Sequence, residues 1–293
     1  MPEEILTIVG CGYTGLRLAR LCRTAGMAVL GIVRSDAARS ALEAEGIRAE
    51  ILDLDHPIEP RPDTTGPQVY MVPPPASGDS DPRMGAWLAS MASPPSCIVY
   101  LSTTAVYGDR QGAVVNEDSE PRPESDRGRR RLDAERQILA YGARTRTRVR
   151  ILRVPGIYGP GRLPLDRIAR GNPVPAPDQT GPGNRIHVDD LAAACLAAVG
   201  YQGSLQVFNV GDGEYASMGE YFLRVARLAG LQAPPQLPLA ELLEKVSPAM
   251  RSFLVESRRV DVSRMRDELG FSPQYTDLDE GIRASLAEEQ ASA

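Results

Sequence analysis

The sequence predicts an α/β protein, a doubly wound parallel-sheet Rossmann domain with a smaller, mainly helical C-terminal substrate domain. Three observations carry that expectation. A glycine-rich turn, Gly10-Cys11-Gly12-Tyr13-Thr14-Gly15, stands between a short apolar run and an amphipathic stretch. Short β-branched runs then alternate with helical periodicity through the first two thirds of the chain. The last third is largely helical and broken by proline.

The run Ile5-Leu6-Thr7-Ile8-Val9 has the composition of a buried parallel strand. After the turn, Leu16, Leu18, Ala19, Leu21 and Cys22 recur at helical spacing, with Arg17, Arg20 and Arg23 on the other side. Gly10 permits the tight turn, Gly12 lets backbone approach a pyrophosphate, and Gly15 lets helix pack on strand. Tyr13 and Thr14 complete this cofactor-binding turn, and the helix N-terminus offers N–H groups and a positive dipole end to the anion. A second strand, Met27 to Val33, ends in Arg34-Ser35 with no carboxylate at its tip. An NAD(H) site wants an acid there; Arg34, with Ser35 and Arg39, suits a 2′-phosphate, so NADP(H) is favoured and NAD(H) stays open through Asp36.

Ala37 to Glu45 reads as a helix and Ile47 to Leu52 as a third strand closed by Asp53, which lies near the adenine or simply caps its loop. A loop from His56 to Pro67 precedes a fourth strand, Val69 to Val72, which runs into Pro73-Pro74-Pro75. Three prolines make a stiff extended segment, placing Pro73 beside the expected nicotinamide. Asp81 to Met91 is helical, and the fifth strand, Cys97 to Leu101, empties into Ser102-Thr103-Thr104-Ala105-Val106-Tyr107-Gly108. Hydroxyls beyond a carboxyl strand end are well placed for chemistry, though they cap loops as often. A polar loop, Gln111 to Gly128, leads to a helix from Arg129 to Tyr141 and a sixth strand, Val149 to Val154. A short helix, Leu163 to Arg170, and a Pro/Gly loop follow. Asp189 then reads as the N-cap of a helix to about Val199, and Gln206 to Val210 as a late strand. Helices are expected at Ser217–Ala229, Leu239–Val246, Pro248–Val255, Ser263–Leu269 and from Leu278.

Composition narrows the function. A formal charge of -5 argues against nucleic acid as the partner. The longest apolar helical stretch, Leu191 to Val199, is too short to span a bilayer. Four scattered cysteines and two histidines point to no metal site, and buried thiols suit a reducing compartment. The opening Met1-Pro2-Glu3-Glu4 runs directly into the first strand, so a cytoplasmic setting is expected.

Taken together, these landmarks resemble the extended short-chain dehydrogenase/reductases of the NAD(P)-dependent epimerase/dehydratase kind. The matching motifs are Gly10 to Gly15, Ser102 to Gly108, Leu152-Arg153-Val154-Pro155-Gly156-Ile157-Tyr158-Gly159-Pro160-Gly161-Arg162, and Ile186-His187-Val188-Asp189-Asp190-Leu191-Ala192. Phe208-Asn209-Val210-Gly211 and Glu268-Leu269-Gly270-Phe271-Ser272-Pro273 complete the family's order over nearly the whole chain. The resemblance implies a Rossmann domain from 1–154 with 186–211, and a substrate domain from 155–185 with 212–293. Members often pair through Rossmann helices, so a homodimer is one open state.

The family's chemistry rests on a tyrosine and a lysine four residues later on one helix, assisted by a Ser/Thr on the fifth strand. Here Thr103 matches the hydroxyl, but the tyrosine position falls on Arg127 and the lysine position on Arg131. Arginine stays protonated and is no ordinary general base. Arg131 can still hold the nicotinamide ribose, and Arg127 suits a carboxylate or phosphate. Arg127, Arg129, Arg130 and Arg131 together form either an anion pocket or a solvated basic face paired with Asp126, Asp133 and Glu135. Such a replacement resembles the family's atypical branch. A displaced phenol, Tyr107, Tyr158 or Tyr13, is the alternative acid–base group, with plain packing the competing role for each. The expected partner is a small-molecule substrate, a sugar nucleotide or similar anionic metabolite, for which Arg162, Arg167 and Arg170 are either ligands or a solvated helix face; the rival reading is a dinucleotide sensor without turnover.

Overall fold

The computed structural model describes residues 4–61, 65–246, 251 and 254–292. In chain order it runs β1 (Leu6–Val9), α1 (Tyr13–Thr24), β2 (Val29–Val33), α2 (Asp36–Ala44), β3 (Arg48–Ile51), β4 (Gln68–Tyr70), α3 (Pro82–Ser90) and β5 (Cys97–Thr103). Then come β6 (Val114–Val115), α4 (Asp126–Thr145), β7 (Arg148–Val154), β8 (Gly156–Tyr158), α5 (Leu165–Ala169), β9 (Val174–Pro175), β10 (Arg185–His187), α6 (Val188–Gly200) and β11 (Val207–Asn209). The described C-terminal part holds α7 (Met218–Leu228), β12 (Gln236–Leu237), α8 (Leu239–Lys245), β13 (Arg259–Val260), α9 (Ser263–Asp267) and α10 (Leu278–Ser292).

Seven strands form one parallel sheet in the order β11-β7-β5-β4-β1-β2-β3. The chain winds outward from β1 through β2 to β3, then crosses back to β4 and winds the other way. Strand order therefore reverses between β1 and β4, where a crevice opens beyond the carboxyl ends. Successive strand residues feed opposite cores. Ile8, Val99 and Leu152 pack with Leu18 of α1 and Leu191 of α6 on one face. Val9, Ile98, Tyr100 and Ile151 pack with Trp87 of α3 and Ile138 of α4 on the other. Burial on both faces is why these strands read as continuous apolar runs. A third cluster, built by Tyr158, Leu163, Ile168, Phe222, Val225 and Ile282, lies apart from the sheet and gathers α5, α7 and α10.

The helix starts follow local capping chemistry. Asp81 accepts from the Met84 amide ahead of Pro82 in α3. Ser217 and Glu220 form a reciprocal capping box on α7. Ser125 caps α4, which therefore begins three residues before the expected Arg129. Asp189 is not the cap of α6: the His187 ring accepts from the Asp189 amide, and Asp189 instead pairs with Arg17 of α1. Strands β8 and β10 pair with each other, and β6 pairs with β13, where only loops were expected. Strands of two or three residues are too short to carry a periodic signal. The helix expected at Pro248–Val255 lies largely outside the described residues. Among those described, no helix is long and apolar enough to cross a membrane.

Candidate functional site

The glycine-rich turn sits at the carboxyl end of β1, at the strand-order reversal. Gly10 has φ +83°, and a Cβ there would meet Val72 Cγ2 at 2.9 Å and the Val72 amide at 3.0 Å. Glycine is the residue that tolerates both the positive φ and this contact. A Cβ on Gly15 would press on Ile8 and Cys11, so its absence seats α1 against β1. Gly12 is different: a Cβ there would meet only the Gly10 carbonyl, at 4.0 Å. It leads α1 with no side-chain cap on the helix N-terminus. Open space over uncapped N–H groups fits a dinucleotide pyrophosphate.

The neighbouring candidates are arranged less simply. Arg34 is exposed and makes no ion pair among the described residues. Ser35 is occupied as the N-cap of α2, Asp36 points to solvent, and Arg39 pairs with Asp36. Asp53 accepts from the Asp55 amide as a loop cap. The Pro73 carbonyl accepts from Arg83 at 2.9 Å, and Arg83 also grips Asp55 with two 2.6 Å bonds. That arginine staples the loops after β3 and β4. Thr14 is buried in the first turn of α1, and the Tyr13 hydroxyl donates to the Pro160 carbonyl at 2.9 Å. Burial pushes the Tyr13 phenol up to about 12, and the Arg162 guanidinium lies 3.9 Å from its ring centre. Tyr13 is thus a strut between the turn and the substrate-side wall.

A cleft of about 490 Å³ opens beyond the ends of β5 and β7. Thr103, Arg127 and Arg131 all line it, so the helical i, i+4 spacing does bring the two arginines to one wall. Arg131 is held by the Leu101 carbonyl at 2.8 Å and the Tyr100 hydroxyl at 3.2 Å. Thr103 accepts from the Ala105 amide, leaving its own proton to donate. Burial depresses the Arg127 pKa; Glu256 opposes that, and Arg131 and Arg258 add to it. Arg129 and Arg130 do not join this wall. Arg129 is exposed and pairs with Asp126 and Asp79, while Arg130 donates to the Gly78 carbonyl. Successive residues on a helix diverge by about 100°, so four arginines in five positions cannot share one face.

Two phenols leave the candidate list. Tyr107 is wholly buried, donates to Asn209 Oδ1 at 2.7 Å, and accepts from Arg153 at 3.0 Å. Arg153 is gripped in turn by both Glu135 oxygens, and Ser102 donates to the same carboxylate. This network lies beneath the cleft floor. Burial raises the Tyr107 pKa against the pull of Arg153. Tyr158 is also buried, packing edge-on against His187, and burial drives its pKa far up. Of the three arginines expected to hold an anionic substrate, Arg162 lines the cleft, Arg167 donates to the Pro173 carbonyl against Phe222, and Arg170 is exposed on the far end of α5.

The tertiary structure adds Arg185, Glu256 and Arg258. Arg185 is buried, donates to the Ala216 and Ser217 carbonyls, and lies over the Tyr221 ring, with burial depressing its pKa. Arg258 donates to Gly108 O at 2.7 Å, Thr104 O at 3.2 Å and Glu256. A charged pair buried in a cleft has no local sequence signature. The run Glu256-Ser257-Arg258-Arg259 reads as an ordinary surface segment.

The comparisons with known proteins follow this geometry. A protein of unknown function from Silicibacter pomeroyi superposes with a TM-score of 0.83 at 30% identity, covering 97% of this chain and 99% of that one. MoeE5, in complex with UDP-glucose and NAD, superposes at 0.74 with 25% identity, over 98% and 99%. A UDP-glucose 4-epimerase of Corynebacterium glutamicum is 25% identical over 205 residues, 62% of this chain. The chain spans 59% of that epimerase's length and 49% of another curated relative's. The model of the NAD dependent epimerase/dehydratase family matches residues 6–211. The chain belongs to that family.

Proposed function

We propose that the chain is an NAD(P)-dependent, epimerase-like oxidoreductase acting on a nucleotide sugar, with Arg127 and Arg131 standing where its relatives carry a tyrosine and a lysine. One observation carries this reading: among the described residues, five arginines, 127, 131, 162, 185 and 258, line a cleft with a single carboxylate, Glu256. Such a wall suits a ligand with several negative charges, and guanidinium forks suit diphosphate or carboxylate oxygens. The glycine turn fits the dinucleotide, with Gly10, Gly12, Tyr13, Thr14 and Gly15 carrying it and Arg34 and Ser35 beside the adenosine ribose. Asp53 and Pro73 flank the adenine and nicotinamide ends, and an exposed Arg34 supports NADP(H) over NAD(H).

A bound nicotinamide would supply hydride acceptance and return. Arg131, pinned at the end of β5, would orient the nicotinamide ribose, Thr103 would donate to a substrate oxygen, and Arg127 would hold an anionic substrate group. Titration calorimetry with NADPH, NADP and NAD, followed by UDP-glucose, tests this reading directly. Dinucleotide binding with UDP-glucose binding in the low micromolar to millimolar range is expected; failure of every dinucleotide to bind overturns it. A second reading, a dinucleotide-dependent sensor, draws on the cleft lining, which among the described residues includes no Tyr, Lys, His or Cys. Tight binding of both ligands with no converted sugar in product analysis would favour the sensor.

A further inference from the structure

An enzyme of this reading needs a group that exchanges a proton with substrate, and the cleft is poorly stocked with them. Its arginines stay protonated, and the hydroxyls of Ser102, Thr103, Thr104 and Thr180 hold their protons far above neutral pH. Among the described lining residues one carboxylate side chain remains, Glu256. It comes from the C-terminal segment just before β13, not from the helix that carries Arg127. Its partner Arg258 seats it: the guanidinium is fixed to the carbonyls of Thr104 and Gly108, directly after Thr103 at the end of β5. Arg258 and Glu256 are each about 8% exposed. Glu256 lies close enough to Arg127 for its charge to act on that guanidinium. The carboxylate thus bonds Arg258, acts on Arg127 and shares the cleft with the Thr103 hydroxyl, the kind of placement proton exchange needs.

We propose that Glu256 is the acid–base group of this cleft, taking the proton of a sugar hydroxyl held by Thr103 and returning it when the sugar is re-protonated. The assignment rests on the nucleotide-sugar reading above. The electron balance is simple. The substrate O–H bond breaks and its proton bonds to a Glu256 oxygen. The freed electron pair forms the C=O bond, while the C–H pair on the same carbon leaves as hydride to an oxidised nicotinamide. Return of both restores the alcohol. Arg258 is a positioning residue, keeping the carboxylate aimed.

The test compares affinities first, so that it does not depend on turnover. Dinucleotide-loaded wild type and Glu256→Gln are titrated with UDP-glucose and with its 4-deoxy analogue. Glutamine keeps the size of the side chain and a carbonyl for Arg258; Glu256→Asp and a thermal melt guard against misfolding. A hydrogen bond to a carboxylate is worth roughly tenfold or more in affinity. Wild type should prefer UDP-glucose by at least about tenfold, and Glu256→Gln should narrow that preference to about threefold or less. The rate of sugar conversion in wild type should carry an acid limb, falling at low pH. That limb should vanish in Glu256→Gln and return in Glu256→Asp.

Equal preference in both proteins, or no preference in wild type, overturns the assignment while leaving the nucleotide-sugar reading intact. Preference without conversion leaves Glu256 a hydroxyl-binding residue and overturns the proton transfer. A wild type that binds neither sugar nucleotide overturns the functional reading itself, a result distinct from the others.

Discussion

The two walls of the site are built by opposite means. The wall proposed for the cofactor is largely backbone: it offers N–H groups, with glycine at 10, where a Cβ would meet Val72, and at 15, where one would press on Ile8 and Cys11. Six consecutive residues supply it. The substrate wall is made of long charged side chains from α4, the loop after β8, β10 and the segment before β13. The first wall is local in sequence and intolerant of added atoms. The second is assembled across the fold and intolerant of lost charge.

That contrast can be broken from below. Glu135 and Arg153 are an ion pair with side chains only 3% and 5% exposed, under the floor that supports the arginine wall. Removing one partner of such a pair costs about 3–5 kcal/mol, because the other charge is left buried. Glu135→Ala should therefore lower the urea midpoint most of all; a shift under 1 kcal/mol would mean that water or a neighbour replaces the carboxylate. On the cofactor wall, Gly10→Val should destabilise by about 1–3 kcal/mol and abolish dinucleotide binding, since it combines positive φ with a clash against Val72. Retained dinucleotide affinity in that variant would show that the turn can move aside.

On the substrate wall, Arg127→Ala should weaken UDP-glucose by about tenfold and leave dinucleotide affinity nearly unchanged. Equal losses in both titrations would dissolve the distinction between the walls. A pH effect sharpens it further. Burial pushes the Asp212 carboxyl, near Arg185, up to about 7. Between about pH 4, where the unfolded carboxyl ionises, and pH 7, the folded chain binds the extra proton. This group therefore adds stability at low pH that is lost as pH rises through about 7. Asp212→Asn should flatten that part of the profile in denaturation at stepped pH. The smallest effect is expected at the start of α7, which abuts Arg185: Ser217→Ala should cost about 1 kcal/mol through the lost capping box.

Much of the fold was legible because parallel strands buried on both faces announce themselves as apolar runs, and because Ser, Asp and Gly punctuate helices by local hydrogen bonding. Short pieces were not legible. The β8–β10 and β6–β13 pairs exist only through partners far away in the chain. Thr103, Arg127 and Arg131 came together through the family resemblance; spacing alone left the arginines open between an anion pocket and a solvated face, and Arg127 fell in the loop expected before Arg129. Tyr107 and Tyr158 were not readable as core residues, since a motif places a phenol near a site without saying which way it points.

The sequence by itself determined the alternating α/β architecture, the glycine turn and the presence of arginine on the helix that faces the cleft. Each rests on neighbours within a few residues, where chain connectivity already fixes the distances. Only the tertiary structure decided that Arg258 and Glu256 join Arg127 and Arg131 at the cleft, that Arg129 and Arg130 turn away from it, and that Tyr107 and Tyr158 face inward. Those outcomes depend on which side chains can find partners once water is excluded. That is settled by packing across the whole fold and not by any stretch of the chain.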